Sequence, residues 1–355
     1  MGLAEQSVLV RVPATSANLG PGFDTLGLAL RLHDEVEVRL AGSGLDIEVE
    51  GEGAAGIADT GESHLIVRAI RVALDQLDIA QPAGLALRCR NRIPHGRGLG
   101  SSAAAIVAGL LAARALAGAA TGPQDVLPLA AMLEGHPDNV APCLFGGLTI
   151  SWVADAAGAT GVAGAAGVAG ATGTAGAAGA AGAAGAAGMT ALAGAAGGLP
   201  RARAVRLDPH PAVHPVVFVA PEPVSTRVAR GLLPAVVPHA DAARNAGRAA
   251  LLIAALTACP EVLLDGTEDK LHQDYRAPAM PHSHDLVTRL RAAGVPAVVS
   301  GAGPSVLAFL AGKPGRDELI RLDSIAGETG IEWHISPLAV EQQGASVVPS
   351  TSSAR

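Results

Sequence analysis

Residues 94–105 read PHGRGLGSSAAA, the most informative stretch of the chain for its architecture. Three glycines, Gly96, Gly98 and Gly100, come directly before an alanine-rich run over 101–117 that predicts a helix. Glycine lets backbone N–H groups approach an anion, and the first turn of a helix adds unpaired donors and the positive end of its dipole. The stretch therefore predicts a phosphate-binding loop. The alternative is an ordinary strand-to-helix turn in which a serine caps the helix.

Two common signatures of phosphoryl-transfer proteins are missing from the sequence. No Lys follows the glycines, as the Walker pattern GxxxxGK[ST] requires, and the HRD and DFG strings of protein kinases are absent. The loop therefore indicates neither a P-loop NTPase nor a protein kinase.

Outward from this loop, periodicity predicts alternating strands and helices. Strands are expected over 7–14, 35–40, 45–50, 84–90, 145–153 and 215–220, and near residues 295 and 306. Helices are expected over 64–77, 101–117, 123–134, 243–256 and 284–293, and near residue 228. This order predicts a mixed α+β fold.

Composition narrows the class of protein. The chain has 355 residues, of which 49% are hydrophobic, and a formal net charge of -7, which gives no electrostatic reason to bind nucleic acid. Its three cysteines, Cys89, Cys143 and Cys259, have no zinc or disulfide spacing. The N-terminus lacks a secretory signal. We therefore expect a cytoplasmic protein without nucleic-acid or membrane partners.

Low complexity interrupts the chain at residues 154–198, where Gly recurs at every third position from Gly158 to Gly188. The run contains no Pro, which excludes a stable collagen helix, and its glycines disfavour a membrane span. We expect a flexible insertion that separates the two halves of the protein. The predicted organisation is an N-terminal domain over 1–153, the insertion over 154–198, a C-terminal domain over 199–340 and a flexible tail over 341–355.

Three motifs resemble those of the GHMP kinases. The loop at 94–105 is similar to their second motif, PxxxGLGSSAA, and residues 300–309, SGAGPSVLAF, resemble their C-terminal glycine-rich motif. Residues 12–30, VPATSANLGPGFDTLGLAL, resemble the first motif in its homoserine-kinase form. The resemblance implies a two-domain α+β GHMP kinase fold. Its N-terminal, ATP-binding domain would resemble ribosomal protein S5 domain 2, its C-terminal domain would be ferredoxin-like, and the active site would lie between them.

The resemblance implies ATP and Mg²⁺ as cofactors. Ser102 and Glu134 would hold Mg²⁺ through oxygen atoms, which this cation prefers, although Glu134 could instead be a surface residue at a helix end. A supporting loop would include Gly301, Gly303 and Ser305. The residues implied to contact the ATP phosphates are Pro94, His95, Gly96, Arg97, Gly98, Leu99, Gly100, Ser101, Ser102, Ala103 and Ala104.

The segment 134–147, EGHPDNVAPCLFGG, bears on the mechanism. Mevalonate kinase and galactokinase place an Asp base in this segment, whereas the homoserine-kinase branch resembles this chain in having Asn at position 139. Asn139 implies phosphoryl transfer without a strong carboxylate base. Thr226 and Arg230 are the other implied catalytic residues, although Ser225 and Thr226 could instead cap a helix.

The substrate implied by the resemblance is L-homoserine. Asp24 would attract its amino group, Asn18 and His136 would lie beside it, and Arg230 and Arg276 would meet its carboxylate. Asn18 and Asp24 could instead be turn formers, and Arg276 an ordinary solvated arginine. A homodimer is expected at the level of the family. A GHMP kinase for another alcohol and a catalytically silent ligand sensor are the alternatives.

Two further features qualify the resemblance. His282, His284 and Asp285 form an HxHD string with possible metal-binding spacing, but Ser and Asp before a helical pattern more simply predict a cap. His64 stands where the family commonly has Asn near the adenine pocket, which makes the adenine contacts less certain than the phosphate contacts.

Overall fold

The structure, a computed structural model, describes residues 3, 7–54, 61–154 and 201–349 of the chain. The predicted insertion therefore lies outside the described residues except for Ala154. In chain order, the strands are β1 (Ser7–Ala17), β2 (Leu26–Ala41), β3 (Gly44–Gly51), β4 (Gly84–Asn91), β5 (Leu148–Ala154), β6 (Arg201–Leu207), β7 (Val213–Val219), β8 (Ala297–Val299), β9 (Val306–Ala311), β10 (His334–Pro337) and β11 (Ser346–Pro349). The helices are α1 (Leu65–Gln76), α2 (Ser101–Leu116), α3 (Pro123–Glu134), α4 (Pro137–Phe145), α5 (Thr226–Gly231), α6 (His239–Thr257), α7 (Leu263–Gly266), α8 (Gln273–Arg276), α9 (Pro281–Ala292) and α10 (Arg316–Gly327).

A seven-stranded sheet forms the first half, in the order β11-β1-β2-β4-β3, with β5 pairing to β2 and β6 pairing to β5. Alternate residues of β1, including Val8, Val10 and Val12, are buried, as its period of two predicts. Helices α2 and α4 pack on β1, and α2 also contacts α1 and α3. The alanine-rich α2 is buried along most of its length. Its N-terminus lies close to the sheet, because the Thr15 N–H in β1 donates to the Leu99 carbonyl just before the helix.

A four-stranded antiparallel sheet forms the second half, in the order β10-β7-β9-β8. Numbered within this half, the order is 4-1-3-2, that of a ferredoxin-like sheet. Helix α9 packs against β8, β9 and α10. A separate core that includes Phe218, Leu290, Leu322 and Trp333 fills the space between this sheet and its helices.

The domain boundary differs from the prediction because β6 belongs to the first sheet. Ala154 pairs with Arg201, so the chain leaves and re-enters the sheet at neighbouring positions. The insertion therefore connects two paired strands, and it does not separate the two halves.

The predicted flexible tail is wrong for residues 341–349. Ser346–Pro349 pairs antiparallel with β1, whose edge would otherwise present unpaired N–H and C=O groups. Just before this strand, the Ala345 N–H donates to the Cys143 carbonyl at the end of α4. Across the described ranges, no helix has the length and apolar character needed to cross a bilayer.

Candidate active site

The glycine-rich loop has a backbone that only glycine accommodates easily. Gly96, Gly98 and Gly100 have φ angles of 67°, 74° and 72°. A Cβ at Gly98 would lie 2.1 Å from the Ser300 carbonyl oxygen, and one at Gly100 would lie 2.0 Å from Thr15 Oγ1. The glycines therefore allow the loop to pass between the first and third motifs.

Gly100 occupies the N-cap position directly before α2, and no side chain caps that helix. The alternative of a serine cap is therefore wrong. The N–H groups of the first turn have no side-chain acceptor, and together with the helix dipole they suit a phosphate group.

Backbone hydrogen bonds tie the loop to three other segments. Thr15 N–H donates to the Leu99 carbonyl at 3.1 Å, Val224 N–H to Gly96 at 3.1 Å and Ser305 N–H to Arg97 at 3.3 Å. The predicted supporting loop thus contacts the predicted phosphate-binding loop directly. Gly301 and Gly303 in that loop have positive φ angles, and Ser305 is fully buried.

The Arg97 guanidinium binds backbone carbonyl groups. Its Nε donates to Ala220 O at 2.9 Å, its Nη1 to His95 O at 2.9 Å and its Nη2 to Pro221 O at 2.5 Å. Arg97 therefore fixes the loop against the segment that leads into α5.

Ser102 and Glu134 form the pair predicted to hold Mg²⁺. Ser102 Oγ donates to Glu134 Oε1 at 2.7 Å. Burial raises the pKa of Glu134, although nearby His136 and the Ser102 hydrogen bond act in the opposite direction. A surface role does not explain this partly buried, hydrogen-bonded carboxylate.

The donor set around Glu134 fits Mg²⁺ only if phosphate oxygens complete it. Among the residues that the structure describes, no cluster of three His, Cys, Asp or Glu side chains could hold a metal ion. Mg²⁺ commonly binds through one or two protein oxygens together with substrate phosphates and water. Glu134 and Ser102 beside a phosphate-binding loop match that pattern.

The start of α4 groups His136, Asp138 and Asn139. His136 Nδ1 lies 2.5 Å from Asp138 Oδ1, and the Asp138 side chain is only 1% exposed. Burial alone would lower the pKa of His136, but the carboxylates of Asp138 and Glu134 raise it. Asn139 Oδ1 accepts a hydrogen bond from Thr15 Oγ1 at 2.9 Å. Asp138 therefore fixes the side chain of His136 and directly precedes Asn139.

Asn18 shapes the turn that follows β1. It has a positive φ of 66°, its Nδ2 donates to Gly301 O at 2.7 Å, and its Oδ1 accepts from the Asp24 backbone N–H at 3.0 Å. The turn-forming interpretation accounts for these contacts. Its contact with substrate stays a prediction.

Asp24 and Arg230 form an ion pair on one side of the site, with 2.6 Å between Oδ1 and Nη2. Arg276 is 1% exposed, and its Nη1 donates to His272 Nδ1 and to Gly301 O, both at 3.2 Å. Burial and the nearby charge of Arg230 lower the pKa of Arg276 to about 10, so it stays protonated at neutral pH. The interpretation of Arg276 as a solvated arginine is therefore wrong.

The Nε atom of Arg276 is buried and has no hydrogen-bond partner in the described part of the chain. Buried polar groups are almost always paired, so this donor indicates a position for an acceptor from a ligand.

Known proteins resemble both the sequence and the fold. Residues 64–147 match the family described as GHMP kinases N terminal domain. Homoserine kinase from Streptomyces coelicolor is 49% identical over 346 residues, covering 97% of this chain and 95% of that protein. Homoserine kinase from Streptomyces avermitilis is 50% identical, covering 97% and 96%. The chain belongs to the homoserine kinase family.

A crystal structure of homoserine kinase from Cytophaga hutchinsonii matches with a TM-score of 0.71 at 24% identity, covering 98% of this chain and 99% of that one. That likeness confirms the two-domain α+β GHMP fold. Membership of the homoserine kinase family confirms the resemblance and makes this chain a kinase of the GHMP superfamily.

Several charged residues predicted for this homoserine kinase site lie close together. The charges of His136, Asp138 and Arg230 act on Glu134, and those of Arg230 and Asp24 act on Arg276. Thr226 is exposed at the first residue of α5, one helical turn before Arg230. Ser225 occupies the N-cap position but makes no side-chain cap hydrogen bond.

Sequence reasoning did not single out Thr15, Phe23 or His272. Thr15 and Phe23 lie inside the first motif, which was the available signal. His272 is fully buried, contacts Arg276 and stacks on Phe23 with 5.2 Å between ring centroids. No local pattern marks His272, because Phe23 and Gly20, which it contacts, are distant in sequence.

The HxHD string has a structural role in the second half. Helix α9 begins at Pro281, so these residues lie inside the helix and the predicted cap is wrong. His282 Nδ1 contacts the Thr329 carbonyl at 2.9 Å, and Asp285 pairs with Arg289. His64 directly precedes α1.

Proposed function

We propose that this chain transfers the γ-phosphoryl group of ATP to the side-chain hydroxyl of L-homoserine, forming ADP and O-phospho-L-homoserine for threonine biosynthesis. The supporting observation is the group of Asp24, Arg230 and Arg276 beside a phosphate-binding loop. L-homoserine carries one ammonium group, one carboxylate and one hydroxyl. The site offers a partner for each charge and a phosphate site for the hydroxyl.

Asp24 would bind the ammonium group and Arg276 the carboxylate. The unpaired Nε of Arg276 supports this role, because a carboxylate oxygen would satisfy the buried donor. His136 would line the same pocket, and Asn18 would keep Asp24 in place through the Asp24 N–H. The two guanidinium groups would favour an anionic group of the substrate, although the carboxylates of Asp24, Asp269 and Asp138 also act on Arg276.

The phosphate loop and its supporting loop would hold the ATP phosphates. Residues 96–102 would present backbone N–H groups, and Ser102 with Glu134 would hold Mg²⁺. When bound, this cation neutralises part of the phosphate charge. Arg97 would keep the loop in its binding shape through its three backbone contacts.

Phosphoryl transfer would proceed without a strong carboxylate base. Asn139 has an amide that hydrogen-bonds to Thr15, so it can orient a hydroxyl but cannot accept its proton at neutral pH. The hydroxyl oxygen forms a bond to the γ-phosphorus as the bond to the leaving ADP oxygen breaks, and its proton departs late to solvent. Thr226 and Arg230 would contact the reacting groups from α5. Rate enhancement would come from positioning and charge stabilisation.

A cytoplasmic location is part of the proposal. Its support is the three free cysteines, of which Cys89 and Cys143 are buried. A homodimer stays a family-level prediction.

A coupled ADP-release assay with Mg-ATP tests the substrate. We expect ADP formation with L-homoserine and none above background with mevalonate, galactose or no alcohol. Faster turnover of another alcohol would refute L-homoserine as the substrate but would support the kinase activity. ATP binding without turnover of any alcohol would favour a ligand sensor.

A further inference from the structure

The aromatic ring of Phe23 lies close to both site arginines. The guanidinium carbon of Arg276 is 5.3 Å from the ring centroid, and that of Arg230 is 5.7 Å away. These distances lie within the range of cation–π attraction. One aromatic ring thus contacts two cations that reach it from different helices, α5 and α8.

Charges of both signs lie around the ring, since Asp269 and Asp138 as well as Asp24 act on Arg276. Asp24 pairs directly with Arg230, and the positive charge of Arg230 disfavours protonation of Arg276. Two guanidinium groups held close together repel each other in a partly dry site. The negative face of an aromatic ring offsets part of that repulsion without adding a carboxylate that would repel an anionic ligand.

Phe23 has a rigid support. His272 stacks on it with 29° between the ring planes, and His272 Nε2 hydrogen-bonds to Gly20 O at 2.9 Å in the same turn. The His272 backbone N–H donates to Asp269 Oδ2 at 3.0 Å. The ring is therefore fixed between the first motif and α8, which carries Arg276.

We propose that Phe23 is a positioning residue that makes the site selective for substrates bearing a carboxylate. It holds the guanidinium groups of Arg230 and Arg276 near one ring, so that a substrate carboxylate meets both cations and the unpaired Arg276 Nε. This inference rests on the proposed function. An alkyl side chain at position 23 would fill similar space but would not attract the guanidinium groups.

The test compares L-homoserine with 3-aminopropan-1-ol, the same molecule without its carboxylate. In Phe23→Leu, we expect kcat/KM for L-homoserine to fall about tenfold, mostly through KM, as a cation–π contact of ordinary strength predicts. The kcat/KM for 3-aminopropan-1-ol should fall clearly less than that for L-homoserine, because this alcohol has no carboxylate to bind Arg276. Phe23→Tyr keeps the ring and should retain the wild-type ratio of the two substrates.

Phe145→Leu serves as the matched control, since Phe145 is also partly buried but packs on the main core. It should leave the substrate ratio unchanged. Equal losses for both substrates in Phe23→Leu, or no loss for either, would overturn the inference. Failure of both Phe23→Leu and Phe23→Met to fold, judged by thermal melting, would assign Phe23 a structural role and also overturn it. Absence of L-homoserine turnover in the wild type would instead refute the proposed function.

Discussion

Arg230 and Asp24 form a bidentate ion pair, with Nη2 to Oδ1 at 2.6 Å and Nη1 to Oδ2 at 3.3 Å. Asp24 lies in the turn after β1 and Arg230 lies in α5, so the pair joins the two halves of the protein across the site. Without substrate, each charge has the other as its partner. We expect a zwitterionic substrate to exchange this pair for two new ones, its ammonium group with Asp24 and its carboxylate with the arginines.

The first prediction concerns Asp24. In Asp24→Asn, KM for L-homoserine should rise at least about tenfold, because a charge-assisted contact to the ammonium group is lost and Arg230 is left unpaired. KM for ATP should stay within about twofold. Steady-state kinetics with each substrate varied in turn measures both. Glu222→Gln is the control, because Glu222 is an exposed carboxylate close to α5 in sequence. An unchanged KM for L-homoserine in Asp24→Asn would rule out this role.

The second prediction concerns Glu134. Glu134→Gln should lower kcat at least about a hundredfold and raise the Mg²⁺ concentration needed for half-maximal rate, because a neutral amide is a weaker ligand for a hard cation. A Mg²⁺ titration at saturating ATP measures both effects. Asp125→Asn, on an exposed residue at the other end of the same helix, should behave as wild type. An unchanged Mg²⁺ dependence in Glu134→Gln would remove Glu134 from the metal site.

The third prediction concerns residues 155–200. Replacing them with Asn-Gly should preserve kcat and KM, because Ala154 and Arg201 are already paired across the β5–β6 hairpin. The free energy of unfolding should stay the same or rise by up to about 3 kcal/mol, because closure entropy varies with the logarithm of loop length. Urea denaturation of the two proteins makes the comparison. Loss of activity in a folded deletion variant would show that the insertion takes part in function.

The fourth prediction is a dependence of stability on pH through His33. Its Nε2 lies 2.9 Å from Glu341 Oε2, and its Nδ1 lies 3.1 Å from Arg11 Nη2. Burial and the charge of Arg11 lower the pKa of His33 below 6.5, although Glu341 acts in the opposite direction. The unfolded chain therefore binds this proton more tightly, so the contribution is fully present above pH 6.5 and is lost as the pH falls.

The free energy of unfolding should decrease below pH 6.5 by no more than about 1.4 kcal/mol per pH unit from this group. His33→Gln should reduce that decrease, whereas His239→Gln, on an exposed residue of α6, should not. Denaturant unfolding at pH 7.5 and pH 5.5 supplies the values. Identical pH dependence in His33→Gln and wild type would contradict the assignment.

Local patterns predicted the parts of the fold that depend on neighbouring residues. The alternating pattern of β1 and β4 was sufficient to predict these strands, because burial of one face of a sheet requires an apolar residue at every second position. The glycines before α2 were sufficient to predict the turn, because a left-handed backbone favours glycine. Helix α4 was not predicted, and its two prolines, Pro137 and Pro142, are residues that locally disfavour a helix. Pro137 stands at the start of the helix, where its missing N–H costs nothing, and Pro142 is tolerated inside it.

Contacts between distant segments could not be predicted in this way. Strand β11 is only four residues long, and its partner β1 lies at the other end of the chain. The ion pair of Asp24 with Arg230 and the approach of both arginines to Phe23 depend on how the two sheets meet. The motifs identified which residues belong to the site, and the fold determined which of them face one another.

Phosphorus NMR of a reaction containing the wild-type protein, Mg-ATP and L-homoserine identifies the product of the proposed phosphoryl transfer. We expect a new phosphomonoester resonance, split by two neighbouring protons and equal in amount to the ADP formed. Inorganic phosphate as the only product besides ADP, or no ADP at all, would contradict it.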